Sequence, residues 1–132
     1  MRGFSQAADN NKAAILEVLA EQLPRQARLI EIGSGAGQHA IHMAATLNHV
    51  LWQPTDVATV LPMLTSNISE YGAANILSPT ALDLATQEWP AQTYDVVYSA
   101  NVMHIVSTEL GENLIRGAAK MLTADGMLAL YG

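Results

Sequence analysis

Residues 28–56 read Arg-Leu-Ile-Glu-Ile-Gly-Ser-Gly-Ala-Gly-Gln-His-Ala-Ile-His-Met-Ala-Ala-Thr-Leu-Asn-His-Val-Leu-Trp-Gln-Pro-Thr-Asp. The run parses as strand, glycine loop, helix, second strand and terminal acid. Leu29, Ile30 and Ile32 form an apolar run too short for a helix, and it stops at Gly33-Ser34-Gly35-Ala36-Gly37, where the backbone can turn without Cβ clashes. Beyond the loop, Ala40, Met43, Ala44 and Leu47 recur at i, i+3, i+4 and i+7, an apolar stripe able to pack on a sheet. A helix opening on glycines offers free N–H groups and a positive dipole end, which favour an anionic group. Asp56 follows Gly35 by 21 positions, close to the spacing of about 20 at which a second-strand carboxylate reaches ribose hydroxyls. The stretch is therefore expected to bind an adenosine-containing ligand.

Composition narrows the field. The chain of 132 residues is half apolar and only 14% charged, which predicts one folded domain over residues 1–132 with a substantial core. Twelve acids stand against six scattered bases, for a formal charge of −6. With no basic stripe to neutralise phosphates, nucleic acid is not an expected partner. The absence of cysteine removes disulfides and thiolate chemistry from consideration. No apolar run approaches the roughly 18 residues of a membrane span, and the N-terminus has no signal-like core. No membrane partner and a cytoplasmic location are the expectations.

Along the chain, Asp9 or Asn10 is expected to cap a first helix carrying Ile15, Leu19 and Leu23 and ending at Pro24. The polar leader, residues 5–12, reads as a packing segment or as a flap near the ligand. Residues 50–55 form strand two. A helix over residues 60–71 tolerates Pro62 in its first turn and ends at Gly72. Residues 75–83 read as strand three, placed at an edge because Pro79 cannot donate to a ladder on both sides. Residues 94–99 suit a buried parallel strand. Ser107 or Thr108 then caps a helix lined by Leu110, Leu114, Ala118 and Met121, and residues 124–126 turn into strand five at 127–131. Alternating strands and helices imply an α/β fold, an open parallel sheet of order 3-2-1-4-5 with helices on both faces. Gly33, Asp56, Asp83 and Asn101 then gather outside the carboxyl ends of the strands, where ligands of such sheets bind.

These residues resemble the class I, Rossmann-like S-adenosylmethionine-dependent methyltransferases. Glu31-Ile32-Gly33-Ser34-Gly35-Ala36-Gly37 resembles the E-x-G-x-G-x-G motif of that superfamily. The resemblance implies S-adenosylmethionine as cofactor, with Glu31, Gly33, Ser34, Gly35 and Gly37 at its methionine end, Asp56 at its ribose and Asp83 at its adenine. Asn101 would stand where substrate and methyl group meet. The residue 5–12 leader, the Gly37-Gln38-His39 helix start, Trp52-Gln53-Pro54, Trp89-Pro90 and residues 101–105 together are similar to the DUF938, methyltransferase-like 26 family. Members of that family continue past strand five into a C-terminal strand pair. This chain is expected to be C-terminally shortened, lacking that pair, and to form a homodimer through the strand-five edge.

Each residue also has a plainer reading. Asp56 could only end a strand, and Asp83 could only shape a turn. An NAD site would want glycine at position 38, where this chain has Gln38. His39 and His42 read as helix residues whose rings pack or meet solvent, with no metal expected. His104 stands either as a structural hydrogen-bonding group or as a general base for a protonated acceptor, that is, as the catalytic candidate. The functional expectation is a methyltransferase acting on a small molecule. The alternative is a non-catalytic or partner-dependent cofactor-binding module.

Overall fold

The computed structural model describes residues 1–23, 25–102 and 105–131. The elements are α1 (Gln6–Gln22), β1 (Ala27–Glu31), α2 (Gln38–Thr46), β2 (Val50–Asp56), α3 (Leu61–Tyr71), β3 (Thr80–Ala81), β4 (Tyr94–Ala100), α4 (Thr108–Met121) and β5 (Leu122–Tyr131). All strand pairings are parallel, and the sheet order is β3-β2-β1-β4-β5, as the alternation of elements predicts. The Rossmann-like reading holds.

Adjacent strand residues serve opposite faces, as a pleated strand requires. Leu29, Val96, Tyr98 and Trp52 join Ile15 and Leu19 of α1 and Met43 of α2 in one core cluster. Ile30 and Val97 join Leu114, Ala118 and Met121 of α4 in the other. Helices therefore cover both faces, and β1 and β4, central in the sheet, carry residues that are almost fully buried. Among the described residues, no helix is long and apolar enough to cross a membrane.

Three expectations about boundaries change. First, α1 begins at Gln6, because Ser5 rather than Asp9 or Asn10 is its cap: the Ala8 N–H donates to Ser5 Oγ. Asp9 instead lies in the first turn, paired with Lys12 at 2.7 Å, so most of the polar leader is helix. Second, the nine-residue strand three shrinks to Thr80–Ala81, preceded by a single bridge between Trp52 and Ile76. Pro79 has no N–H to offer, and the Gln53 side chain amide takes over, donating to Ser78 O at 2.9 Å and Pro54 O at 3.0 Å. The edge position is as expected. Third, β5 starts at Leu122. Its turn is absorbed as an irregularity in the ladder, so that Asp95 alone on β4 faces residues 123–126 between the pairs Tyr94–Leu122 and Val96–Met127.

Candidate functional site

At the carboxyl ends of the strands lies a cavity of about 420 Å³. Glu31, Gly33, Ser34, Gly35, Asp56, Asp83 and Asn101 all line it, so seven of the expected site residues converge on one space. Gly37 does not line it; His104 lies outside the described residues.

The glycines differ in what they do. Gly33, Gly35 and Gly37 all have positive φ, at 74°, 57° and 86°, a region costly for residues with a Cβ. A Cβ on Gly33 would meet Val102 Cγ2 at 2.6 Å, and one on Gly37 would press on Leu64 and Ile68 at 3.0 and 3.1 Å. Gly37 thus serves as the left-handed N-cap of α2, packed on α3. A Cβ on Gly35 would meet nothing within 4 Å. That glycine leaves open space beside the cavity.

Three of the loop's N–H groups are already engaged within the protein. Ser34 N–H donates to Thr55 O at 2.8 Å, Gly35 N–H to Asp56 Oδ2 at 2.8 Å, and Gly37 N–H to Ser34 O at 2.9 Å. Two of these three acceptors lie on β2, which leaves fewer donors for an anion than a bare glycine loop would offer. Around them, the ionisable acids Glu31, Asp56 and Asp83 line the cavity with no lysine or arginine among its described lining residues. The arrangement suits a ligand carrying positive charge, not a pyrophosphate.

Glu31 ends β1 and is 3% exposed. Its Oε1 accepts from Ser34 Oγ at 2.8 Å and from the Trp52 indole N–H at 3.0 Å. Burial pushes its pKa up to about 7, against the opposing pull of those two donors, and the nearby Asp56 adds to the rise. Asp56 accepts from Val57 N–H on its other oxygen at 2.7 Å. Asp83 realises its turn role, since its Oδ1 accepts from Ala85 N–H at 2.9 Å, and it lines the cavity as well.

His39 is a packed helix residue, as read from the sequence, but its place in the cavity was not foreseen. The ring is buried, lines the cavity, and joins elements far apart in the chain. Nδ1 lies 2.8 Å from Tyr98 Oη, while Nε2 lies 3.0 Å from Ala8 O and 2.8 Å from Asn11 Oδ1. Burial lowers its pKa below the ordinary value and pushes the Tyr98 phenol up, with the negative potential of Glu31 acting in the same direction. Its place in the first turn after the glycine loop was the available signal. Ser5 and Ala8 of the leader also line the cavity, beside Val102, Ile105, Val106 and Leu110 from the β4–α4 connection. Asn101 follows β4 with φ 63°, a left-handed conformation that asparagine tolerates better than most residues.

Known proteins share this architecture. The chain is 24% identical over 131 residues to L-tyrosine C(3)-methyltransferase of Streptomyces lavendulae, covering 99% of this chain and 34% of that protein. Coclaurine N-methyltransferase, solved with N-methylheliamine and SAH, superposes with a TM-score of 0.72 at 21% identity, over 97% of this chain and 38% of that one. The S-adenosylmethionine-dependent methyltransferase SibL superposes with a TM-score of 0.81 at 20% identity, over 93% of this chain and 35% of that one. The chain thus spans little more than a third of the length of these relatives, and what it shares with the solved structures is the fold. A closer assignment comes from the whole length of the sequence: residues 2–132 match the family described as "Protein of unknown function (DUF938)", and the chain belongs to that family.

Proposed function

We propose that the cavity binds S-adenosylmethionine and that the protein transfers its methyl group to a small molecule. The observation that carries this reading is the pairing of a glycine loop whose Ser34, Gly35 and Gly37 N–H groups are already engaged with a cavity lined by Glu31, Asp56 and Asp83 and by no described basic side chain. A pyrophosphate would find repulsion there, whereas a sulfonium with an ammonium group would find compensation. The open space at Gly35 gives room for a ligand to lie close to the backbone. Its relatives' names agree: one is a tyrosine C-methyltransferase and another was solved with SAH.

In this reading Glu31 receives the ammonium group, Gly33, Ser34 and Gly35 flank the methionine end, and Gly37 holds the loop's geometry from behind. Asp56 takes ribose hydroxyls with lone pairs left over from its two backbone bonds. Asp83 receives the adenine amino group, and Asn101 stands at the acceptor. Bound there, the cofactor supplies an already activated methyl group. The protein's share is alignment and exclusion of water, which account for much of the rate in such transfers. His104 is the proposed base where the acceptor arrives protonated.

Calorimetric titration with S-adenosylmethionine, S-adenosylhomocysteine and NAD tests the reading. Binding of the first two, lost in Asp56→Ala, and no binding of NAD are expected; NAD binding alone would overturn it. A second reading is a non-catalytic or partner-dependent cofactor-binding module. Cofactor binding without turnover of any acceptor in a broad screen would favour it. Pairing of two copies along β5, where Leu130 and Tyr131 are exposed, and a cytoplasmic location complete the proposal. A monomeric sedimentation mass at micromolar concentration would remove the pairing.

A further inference from the structure

The hydrogen bonds leading from α1 into the cavity have a direction, and that direction is set by one backbone carbonyl. Ala8 O can only accept, so the His39 nitrogen 3.0 Å from it, Nε2, carries the proton. The same N–H is shared with Asn11 at 2.8 Å, and the Asn11 atom facing it must therefore be its oxygen. The Asn11 amide nitrogen is then the atom turned toward Asn101, 3.2 Å away, and it meets Asn101 Oδ1. On the other side of the ring, burial favours the neutral imidazole. Nδ1 therefore accepts from the Tyr98 hydroxyl at 2.8 Å. Every member of the chain has one consistent role.

The structure assigns to Asn101 the role of a hydrogen-bond donor in the cavity, with Asn11 and His39 as the positioning residues that hold its amide in that sense. With Oδ1 turned to Asn11, the polar group that Asn101 leaves without a bond to Asn11, and so has to present to a ligand, is its Nδ2–H. The backbone is held too, its N–H donating to Tyr131 O at 2.9 Å, which keeps the left-handed conformation in place. Val102, Ile105, Val106 and Leu110 make the adjoining wall apolar. A ligand suited to this end carries a lone pair on a neutral oxygen, such as a hydroxyl on an apolar body; a protonated ammonium is not suited to it. This acceptor class rests on the methyl-transfer reading; the polarity of the chain does not.

Nuclear magnetic resonance of the nitrogen-15-labelled, ligand-free protein reads the polarity directly. In the wild type the Asn101 side-chain NH2, identified by its loss in Asn101→Ser, is expected to exchange freely with water. In Asn11→Asp only acceptors face Asn101, so its amide should reverse, move downfield and exchange several-fold more slowly. An Asn101 signal already protected in the wild type and unchanged by Asn11→Asp would overturn the assignment. Should Asn11→Asp not fold, Asn11→Ser and His39→Leu serve instead: both are expected to release the Asn101 amide from its fixed orientation, and an unchanged signal in either overturns it. In the second arm, protein saturated with S-adenosylhomocysteine is titrated with phenol and with benzylammonium. Phenol should shift the wild-type Asn101 signal and benzylammonium should not, with the preference reversed in Asn11→Asp; equal shifts would overturn the acceptor class. Failure of S-adenosylhomocysteine to bind would instead remove the methyl-transfer reading and leave the polarity measured without ligand intact.

Discussion

The Gly35 N–H donates to Asp56 Oδ2 at 2.8 Å across 21 positions of sequence, so the turn after β1 and the end of β2 are one unit. Removing the carboxylate frees two backbone donors at once, Gly35 N–H and Val57 N–H. Asp56→Ala is expected to lower stability by roughly 1–3 kcal/mol and to abolish S-adenosylmethionine binding, read by thermal melts and calorimetry. Gly35→Ala separates the two effects. Its φ of 57° costs about 1–2 kcal/mol with a Cβ, but no protein atom opposes that Cβ. The variant should fold and bind the cofactor at least about tenfold more weakly, since the methyl group occupies ligand space.

Glu31 makes a pH prediction with a definite sign. Its pKa rises from an ordinary 4.5 to about 7 in the folded protein. Between those values the folded state keeps a proton that the unfolded state has lost. Its contribution to stability is therefore complete below the unfolded value and is lost as pH rises through the folded one. The loss amounts to at most on the order of 3 kcal/mol. Melts of the ligand-free protein should fall between about pH 5 and pH 8, and Glu31→Gln should flatten that slope. Binding of an ammonium-bearing ligand favours the ionised carboxylate, so at neutral pH it should release a proton, measurable by calorimetry in buffers of different ionisation enthalpy.

Gly117 lies within α4, where alanine ordinarily improves helix stability by about 1 kcal/mol. Here a Cβ would stand 2.4–2.5 Å from three atoms of the Trp89 ring, a rigid group with no flexible end to yield. Overpacking of this kind costs about 1–3 kcal/mol. Gly117→Ala is expected to lower the melting temperature despite its better propensity, and Trp89→Leu should restore part of the loss.

The N-terminal segment is held by two side-chain amides, each pairing with the backbone of one residue. Gln38 accepts from Ser5 N–H and donates to Ser5 O; Asn67 accepts from Arg2 N–H at 3.2 Å and donates to Arg2 O at 2.7 Å. Asn67→Leu keeps the branched shape and removes both bonds, together with a third to Ala36 O at 2.9 Å. Hydrogen exchange at the first turn of α1 should rise many-fold in this variant while the exchange of β1 and β4 stays slow.

What could be read in the sequence follows the range of the forces involved. The unit from β1 through β2 is legible because apolar periodicity and glycine positions act within a few residues, and Asp56 falls at a spacing set by one helix and two strands. The start of α1 is not. Ser5 is fixed by Gln38, and His39 is oriented by Ala8, Asn11 and Tyr98, partners that only the folded chain brings together. The length of β3 was hidden for a similar reason, because the Gln53 side chain occupies the Ser78 carbonyl in place of a ladder. The occupied N–H groups of Ser34 and Gly35 belong here too: their acceptors, Thr55 O and Asp56, lie on the neighbouring strand.

The two-residue β3 has a consequence for how the molecule can associate. A sheet recruits a neighbour through rows of unpaired backbone groups, and on the β3 side that row is cut short by Pro79 and by the Gln53 amide. The β5 side, ten residues long, has no such interruption beyond its bulge. The β3 edge is therefore a poor template for pairing, and a further strand, whether of this chain or of another, would find its long row of backbone partners along β5.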